Sequence, residues 1–115
     1  MLVVGDLNSD PNDPAPAPGV PTPYAALVGS GFTDAWTMRP HAGEGSTCCQ
    51  SGDLSNRFSD LDDERVDLIL SLTPPARVPD IRILGDLVGN KTLPPGAGGL
   101  WPSDHGGLAA QLMFN

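Results

Sequence analysis

The sequence predicts an α+β domain, mostly antiparallel sheet with few short helices. Three observations carry that expectation. Four strand-like segments, Leu2–Gly5, Arg65–Leu72, Val78–Val88 and Gly107–Phe114, are spread over the 115 residues. One short stretch, Tyr24–Val28, reads as helix. Fourteen glycines and thirteen prolines, close to a quarter of the chain, favour turns over long helices. The length fits a single small domain, residues 1–115.

Each element has a local cause. Leu2-Val3-Val4 is a β-branched apolar run and reads as a short buried strand. It starts at once and leads straight into Gly5-Asp6-Leu7-Asn8, so the opening reads as the continuation of a longer chain. Asp10 to Pro23 carries six prolines, which remove amide donors and fix φ, giving an extended surface loop. Thr22-Pro23 looks like a helix N-cap followed by proline at the first helical position. Gly29 or Gly31 then stops the helix.

Phe32 to Trp36 follows as an extended piece. Pro40 to Glu64 is turn-rich, with Thr47-Cys48-Cys49-Gln50 as a candidate strand inside it. Arg65 to Leu72 has apolar residues on both faces and therefore reads as a central strand. Val78 to Val88 is a second long strand. Gly89 to Ser103 is a Gly/Pro loop, and Gly107 to Phe114 is the last strand. No internal repeat is visible.

Composition narrows function. Hydrophobic residues make up 39% and charged residues 17%, a globular balance. The net charge of −8 repels a phosphate backbone and argues against a basic nucleic-acid grip. It suits a site that gathers carboxylates around a divalent cation. No apolar run reaches the roughly 18 residues a transmembrane segment needs. The N-terminus lacks the basic and long apolar regions of a signal peptide, and localisation stays open.

Three clusters could carry chemistry. Asp6 and Asn8, two residues apart at a strand end, share a face. A carboxylate there can activate water, and an amide can donate to a phosphate oxygen. The ordinary reading is a β-turn, where both residues are favoured. Asp67 lies inside an apolar strand. A buried carboxylate costs several kcal/mol unless paired, more than the roughly 2–7 kcal/mol of a neutral polar group. It therefore needs a partner, with a structural pair to Arg65 or Arg82 as the ordinary candidate. Asp104 and His105 precede the last strand, where a carboxylate can meet a metal and an imidazole can donate to a phosphoryl oxygen. A loop Asp-His pair is more often bland.

Other features carry less. His41 has no assigned role. Cys48-Cys49 is not a zinc motif, because such sites space their cysteines and need a second pair. A vicinal disulfide is disfavoured by a Cα spacing of about 3.8 Å across a trans peptide, leaving two small buried hydrophobes as the expectation. Gly85 to Thr92 fails as a phosphate loop, since Asn90 replaces the glycine before Lys91 and prolines follow.

Gly5-Asp6-Leu7-Asn8, Arg65-Val66-Asp67-Leu68-Ile69 and Ser103-Asp104-His105, in this order, resemble the C-terminal half of the endonuclease/exonuclease/phosphatase superfamily. Thr47-Cys48-Cys49-Gln50 and Gly99-Leu100-Trp101-Pro102 add to the likeness. The resemblance implies part of a four-layer αββα sandwich and metal-dependent phosphoester hydrolysis by water attack on phosphorus, with Mg²⁺ or Mn²⁺. It implies that Asp6 and Asn8 hold the water and phosphate, that Asp67 orients His105, and that Asp104 lies at the metal. Substrates in the family include nucleic acids, phospholipids and inositol phosphates.

The family's N-terminal half, with its main metal-binding Glu, has no counterpart in this sequence. The expected partners are therefore a phosphoester substrate and the missing N-terminal half. Without that half a sheet face stays bare, and the chain would self-associate. A catalytically incomplete fragment, or a small binding module whose motifs are coincidence, are the competing readings.

Overall fold

The computed structural model describes residues 1–40, 43–92 and 98–115; His41 lies outside them. Among the described residues five strands form: β1 (Leu2–Asp6), β2 (Thr33–Asp34), β3 (Asp67–Ser71), β4 (Arg77–Leu84) and β5 (Gly107–Met113). The one α-helix among the described residues, α1 (Pro23–Gly29), is short, as expected. The Thr22 hydroxyl accepts from the Ala25 amide at 3.1 Å, and Pro23 opens the first turn. Gly31, at φ +94°, carries the chain away from its end.

The strands make two antiparallel sheets. One is three-stranded in the order β1-β3-β2, and the other pairs β4 with β5. β3 is the centre of its sheet, with Leu68, Ile69 and Leu70 buried on both faces. That matches its two-sided apolar sequence. Ile69 packs with Ala35, Trp36, Val78 and Ile81, and Ile83, Leu108, Ala110 and Leu112 close over them. One core therefore lies between the β3 sheet and the β4–β5 pair.

Three expectations change. β1 is an edge strand and not a buried one, leaving Leu2 and Val4 exposed. The long strand from Val78 ends at Leu84, because Gly85 turns the chain at φ +81°. The extended piece at Phe32–Trp36 is only two residues of strand before a 3₁₀ turn, Ala35–Met38, begins. The Asp34 carboxylate causes the change by accepting the Trp36 amide at 2.9 Å, a capping bond. Among the described residues, no helix is long and apolar enough to cross a membrane.

Asp34 also forms the most buried ion pair. Its carboxylate lies 2.8 Å from the Arg65 guanidinium, with side chains 2% and 7% exposed. The Tyr24 hydroxyl donates to the same carboxylate at 3.2 Å. Arg65 is thus taken by Asp34, and Arg82 by Asp80. Neither is the partner of Asp67.

Candidate active site

The β1–β3 register sets Asp6 directly opposite Asp67. Cross-strand neighbours have Cβ atoms about 4.5–5.5 Å apart, so two carboxylates face each other at one end of the sheet. Such a pair repels unless a cation stands beside it. The imidazole of His105, which can carry that charge, stands there. Its Nδ1 lies 2.8 Å from Asp67 Oδ2, and the two side chains are 23% and 18% exposed. The hydrogen bond that Asp67 accepts from the ring raises the imidazole pKa above its ordinary value. Desolvation opposes this, and the negative charges of Asp67, Asp6 and Asp104 add to the rise.

The polypeptide around the pair is held by a strap that the sequence reading treated as a candidate strand. Thr47 to Gln50 is no strand; Cys48 makes single bridges to Glu64 and His105. The fully buried Thr47 hydroxyl accepts the amides of Val66 and Asp67, at 3.2 and 3.1 Å. The Thr47 carbonyl accepts the Gly106 amide at 2.8 Å, and the Gln50 amide donates to the Asp104 carbonyl at 2.7 Å. One short segment therefore fixes both the Asp67 and the His105 backbones.

The buried Gln50 side chain ties the strap to the next loop, accepting from Asn56 and from the Asp60 amide. Glycine at 106 lets this loop pack closely, since a Cβ there would lie 2.7 Å from an Ile83 methyl and 2.8 Å from a Leu61 methyl and would force them to shift. Thr47 and Gln50 were missed as positioning residues. Their signal was a polar pair flanking two cysteines, embedded in turn-formers.

The remaining candidates are more exposed. Asp6 Oδ1 accepts the Asn8 amide at 2.7 Å, and Asn8 sits at φ +46°, a left-handed turn that asparagine tolerates. Asn8 is therefore placed beside Asp6, but among the described residues its side chain makes no hydrogen bond to the histidine pair. Asp104 is exposed and accepts from the Ser103 hydroxyl at 3.3 Å. Its charge reaches His105, so Asp6, Asp67, Asp104 and His105 share one neighbourhood. A pocket of about 420 Å³ elsewhere is lined by Asp10, Trp36, Arg39, Asp63 and Arg65 and by none of the candidate residues.

The cysteines depart from expectation. Cys48 is buried, but Cys49 is exposed, and their sulfurs are in bonding contact as a vicinal disulfide. This departs from the expectation of two unbonded, buried cysteines. The sulfurs face the outer ring nitrogen of His105: Nε2 lies 3.6 Å from Cys48 Sγ and 3.9 Å from Cys49 Sγ.

Scans against protein-family models and curated proteins return no match. Among solved structures, the chain is similar to an endonuclease/exonuclease/phosphatase family protein from Leptotrichia buccalis, at 20% identity and a TM-score of 0.61. The match covers 98% of this chain and 34% of that protein. The chain thus has an α+β fold like part of that protein's fold and spans about a third of its length.

Proposed function

We propose that this chain carries the phosphate-facing part of a metal-dependent phosphoester hydrolase, in which water attacks phosphorus. The observation that carries the reading is the 2.8 Å bond between Asp67 and His105 Nδ1, set opposite Asp6 on the neighbouring strand. Asp67 fixes the ring and favours its protonated form, so His105 can donate to a phosphoryl oxygen and oppose its growing charge. Asp6 orients or deprotonates the attacking water. Asn8, on the turn beside it, contacts the phosphate.

Asp104 would hold a Mg²⁺ or Mn²⁺ ion, with Asp6 as the second nearby carboxylate. These exposed oxygens suit a cation that takes one or two carboxylates and completes its shell with water and substrate phosphate. Such an ion supplies charge neutralisation at the phosphate and the leaving oxygen.

The chain's 34% coverage of its structural neighbour supports a second part of this reading. Further polypeptide completes the site and covers the exposed apolar residues Leu2, Val4, Leu84 and Phe114. Alone, the chain is then a catalytically incomplete fragment that binds Mg²⁺ weakly and self-associates. The class of phosphoester remains open among nucleic acid, phospholipid and inositol phosphate.

Hydrolysis of a chromogenic phosphodiester with Mg²⁺ tests the proposal, using this chain alone and joined to the upstream part of its reading frame. The joined protein should turn over, and His105→Ala should slow it by about 10²–10⁴-fold, the usual worth of a positioned acid or base. Turnover indifferent to His105→Ala would refute the assignment.

A further inference from the structure

The hydrolase reading leaves Cys48 and Cys49 unused, although both lie beside the outer nitrogen of His105. Their three ligand atoms lie within 4.8 Å of one another, the group of three among the described residues close enough to share one ion. Two are sulfurs and one is an imidazole nitrogen, a donor set that hard cations avoid and soft or borderline cations prefer. We propose that Cys48, Cys49 and His105 form, in the dithiol state, a redox-gated site for a soft divalent cation of the zinc–cadmium class, distinct from the carboxylate site.

Four observations converge. The first is distance: around a tetrahedral zinc, with Zn–S about 2.3 Å and Zn–N about 2.0–2.1 Å, neighbouring ligand atoms lie about 3.5 Å apart. The sulfur-to-Nε2 separations are 3.6 and 3.9 Å in the disulfide state, and reduction has to part the two sulfurs, now in bonding contact, to a like spacing. Secondly, the Asp67 bond engages His105 Nδ1 and leaves Nε2 to point at the sulfurs. A carboxylate on the far nitrogen is the support that ligating histidines usually have. The third is access, because Cys49 is exposed and His105 is partly so, and solvent reaches the group. The fourth is rigidity: Gln50 and Thr47 bond to the Asp104 carbonyl and the Gly106 amide, locking the cysteine strap to the histidine loop. Sequence spacing argued against zinc because the two cysteines are adjacent and no second cysteine pair exists; the adjacency stands, and only the want of further ligands is met here. The third ligand instead comes from His105, 57 residues beyond Cys48.

The chemistry balances. A small-molecule dithiol gives two electrons and two protons to the Cys48–Cys49 bond and leaves as its own cyclic disulfide. Cation binding then releases the two thiol protons to solvent, while neutral His105 ligates through Nε2 and keeps its Nδ1 proton on Asp67. In the disulfide state neither sulfur is a thiolate, and the site is closed. If the hydrolase reading holds, the cation also occupies the nitrogen that would face phosphate. Binding itself does not depend on that reading.

Titration of the reduced, full chain with Cd²⁺ tests this, read by ultraviolet thiolate-to-cadmium charge transfer. The band should saturate at one Cd²⁺ per chain, withstand excess Mg²⁺ and be absent from the oxidised chain. Cys49→Ser, at an exposed position, should weaken the band and the affinity without altering the far-ultraviolet circular dichroism. Asp67→Asn should lower affinity about 10–100-fold, the usual effect of losing a histidine's supporting carboxylate. In the wild type, His105 Nε2 should shift in ¹⁵N NMR on adding Cd²⁺. No band from the reduced chain, or an unmoved His105 Nε2 resonance at saturation, would overturn the proposal.

Discussion

Asp34–Arg65 and Asp67–His105 are both carboxylate–cation pairs at 2.8 Å, and both anchor on the sheet centred on β3. They differ in water and in proton. The first pair is almost sealed, at 2% and 7% exposure, and its guanidinium does not lose its charge. The second is part-exposed, beside two further carboxylates, and its imidazole can gain and lose a proton, with a pKa raised chiefly by the Asp67 hydrogen bond. Two residues apart in sequence, Arg65 and Asp67 have thus been given different work. One locks the Ala35–Met38 turn, α1 and β3 together through Asp34. The other holds a titratable ring at the sheet's end. The lesson is that solvent access, more than residue type, separates a structural charge from a chemical one.

The largest expected effect falls on the sealed pair. Asp34→Ala strands the Arg65 charge, already lacking a partner for its buried Nη1, and removes the acceptor of Tyr24 and Trp36. A stability loss of about 3–5 kcal/mol in urea unfolding is expected. A loss below about 1 kcal/mol would mean that the two pairs do not differ as described.

Thr47→Val comes next. It leaves the buried amides of Val66 and Asp67 without their acceptor, at about 1–3 kcal/mol for each amide not rehydrated. Thr47→Ser should restore most of the loss in the same unfolding assay. If Thr47→Val is neutral, the strap does not position the histidine pair.

Asp67→Asn should act mainly on protons. Because its side chain is 18% exposed, the stability change falls short of the sealed pair's. NMR titration should show the His105 pKa dropping from its raised position toward the ordinary range, since its largest cause is the Asp67 hydrogen bond. The sign of the pH dependence follows. A folded-state pKa above the unfolded value makes the pair's stabilisation complete below about pH 6.5. It fades as pH rises through the raised pKa. Wild type should therefore lose stability relative to Asp67→Asn on going from pH 6 to pH 9, and parallel profiles would discount the pair. Smallest of all, Asp80→Ala breaks only the exposed pair with Arg82 and should stay within about 0.5 kcal/mol.

How much of this was legible varied with the kind of signal. β3 was readable because apolar residues on both faces of one run have one good explanation, a central strand. The Thr22 cap was readable because its cause is local. The Asp34–Arg65 pair was not, since a salt bridge across 31 positions leaves no periodicity, and Asp34 looked like part of an extended piece. β1 looked buried because composition cannot say which strand is at an edge. The nearness of Asp67 and His105 rested on an ordered set of short motifs, since neither residue alone exceeds the background for turns and ion pairs. The nearness of Cys48 and Cys49 to His105 was not legible, because the imidazole arrives from 57 residues further along the chain.

The most direct test of the contrast between the two pairs is NMR of both cations while the chain is titrated with dimethyl phosphate, an unreactive phosphodiester, in the presence of Mg²⁺. The His105 ring resonances should move with added phosphodiester, and the Arg65 Nε–H resonance should stay fixed. Movement at Arg65 with His105 unchanged would contradict the account, placing the phosphate-facing charge at the sealed pair.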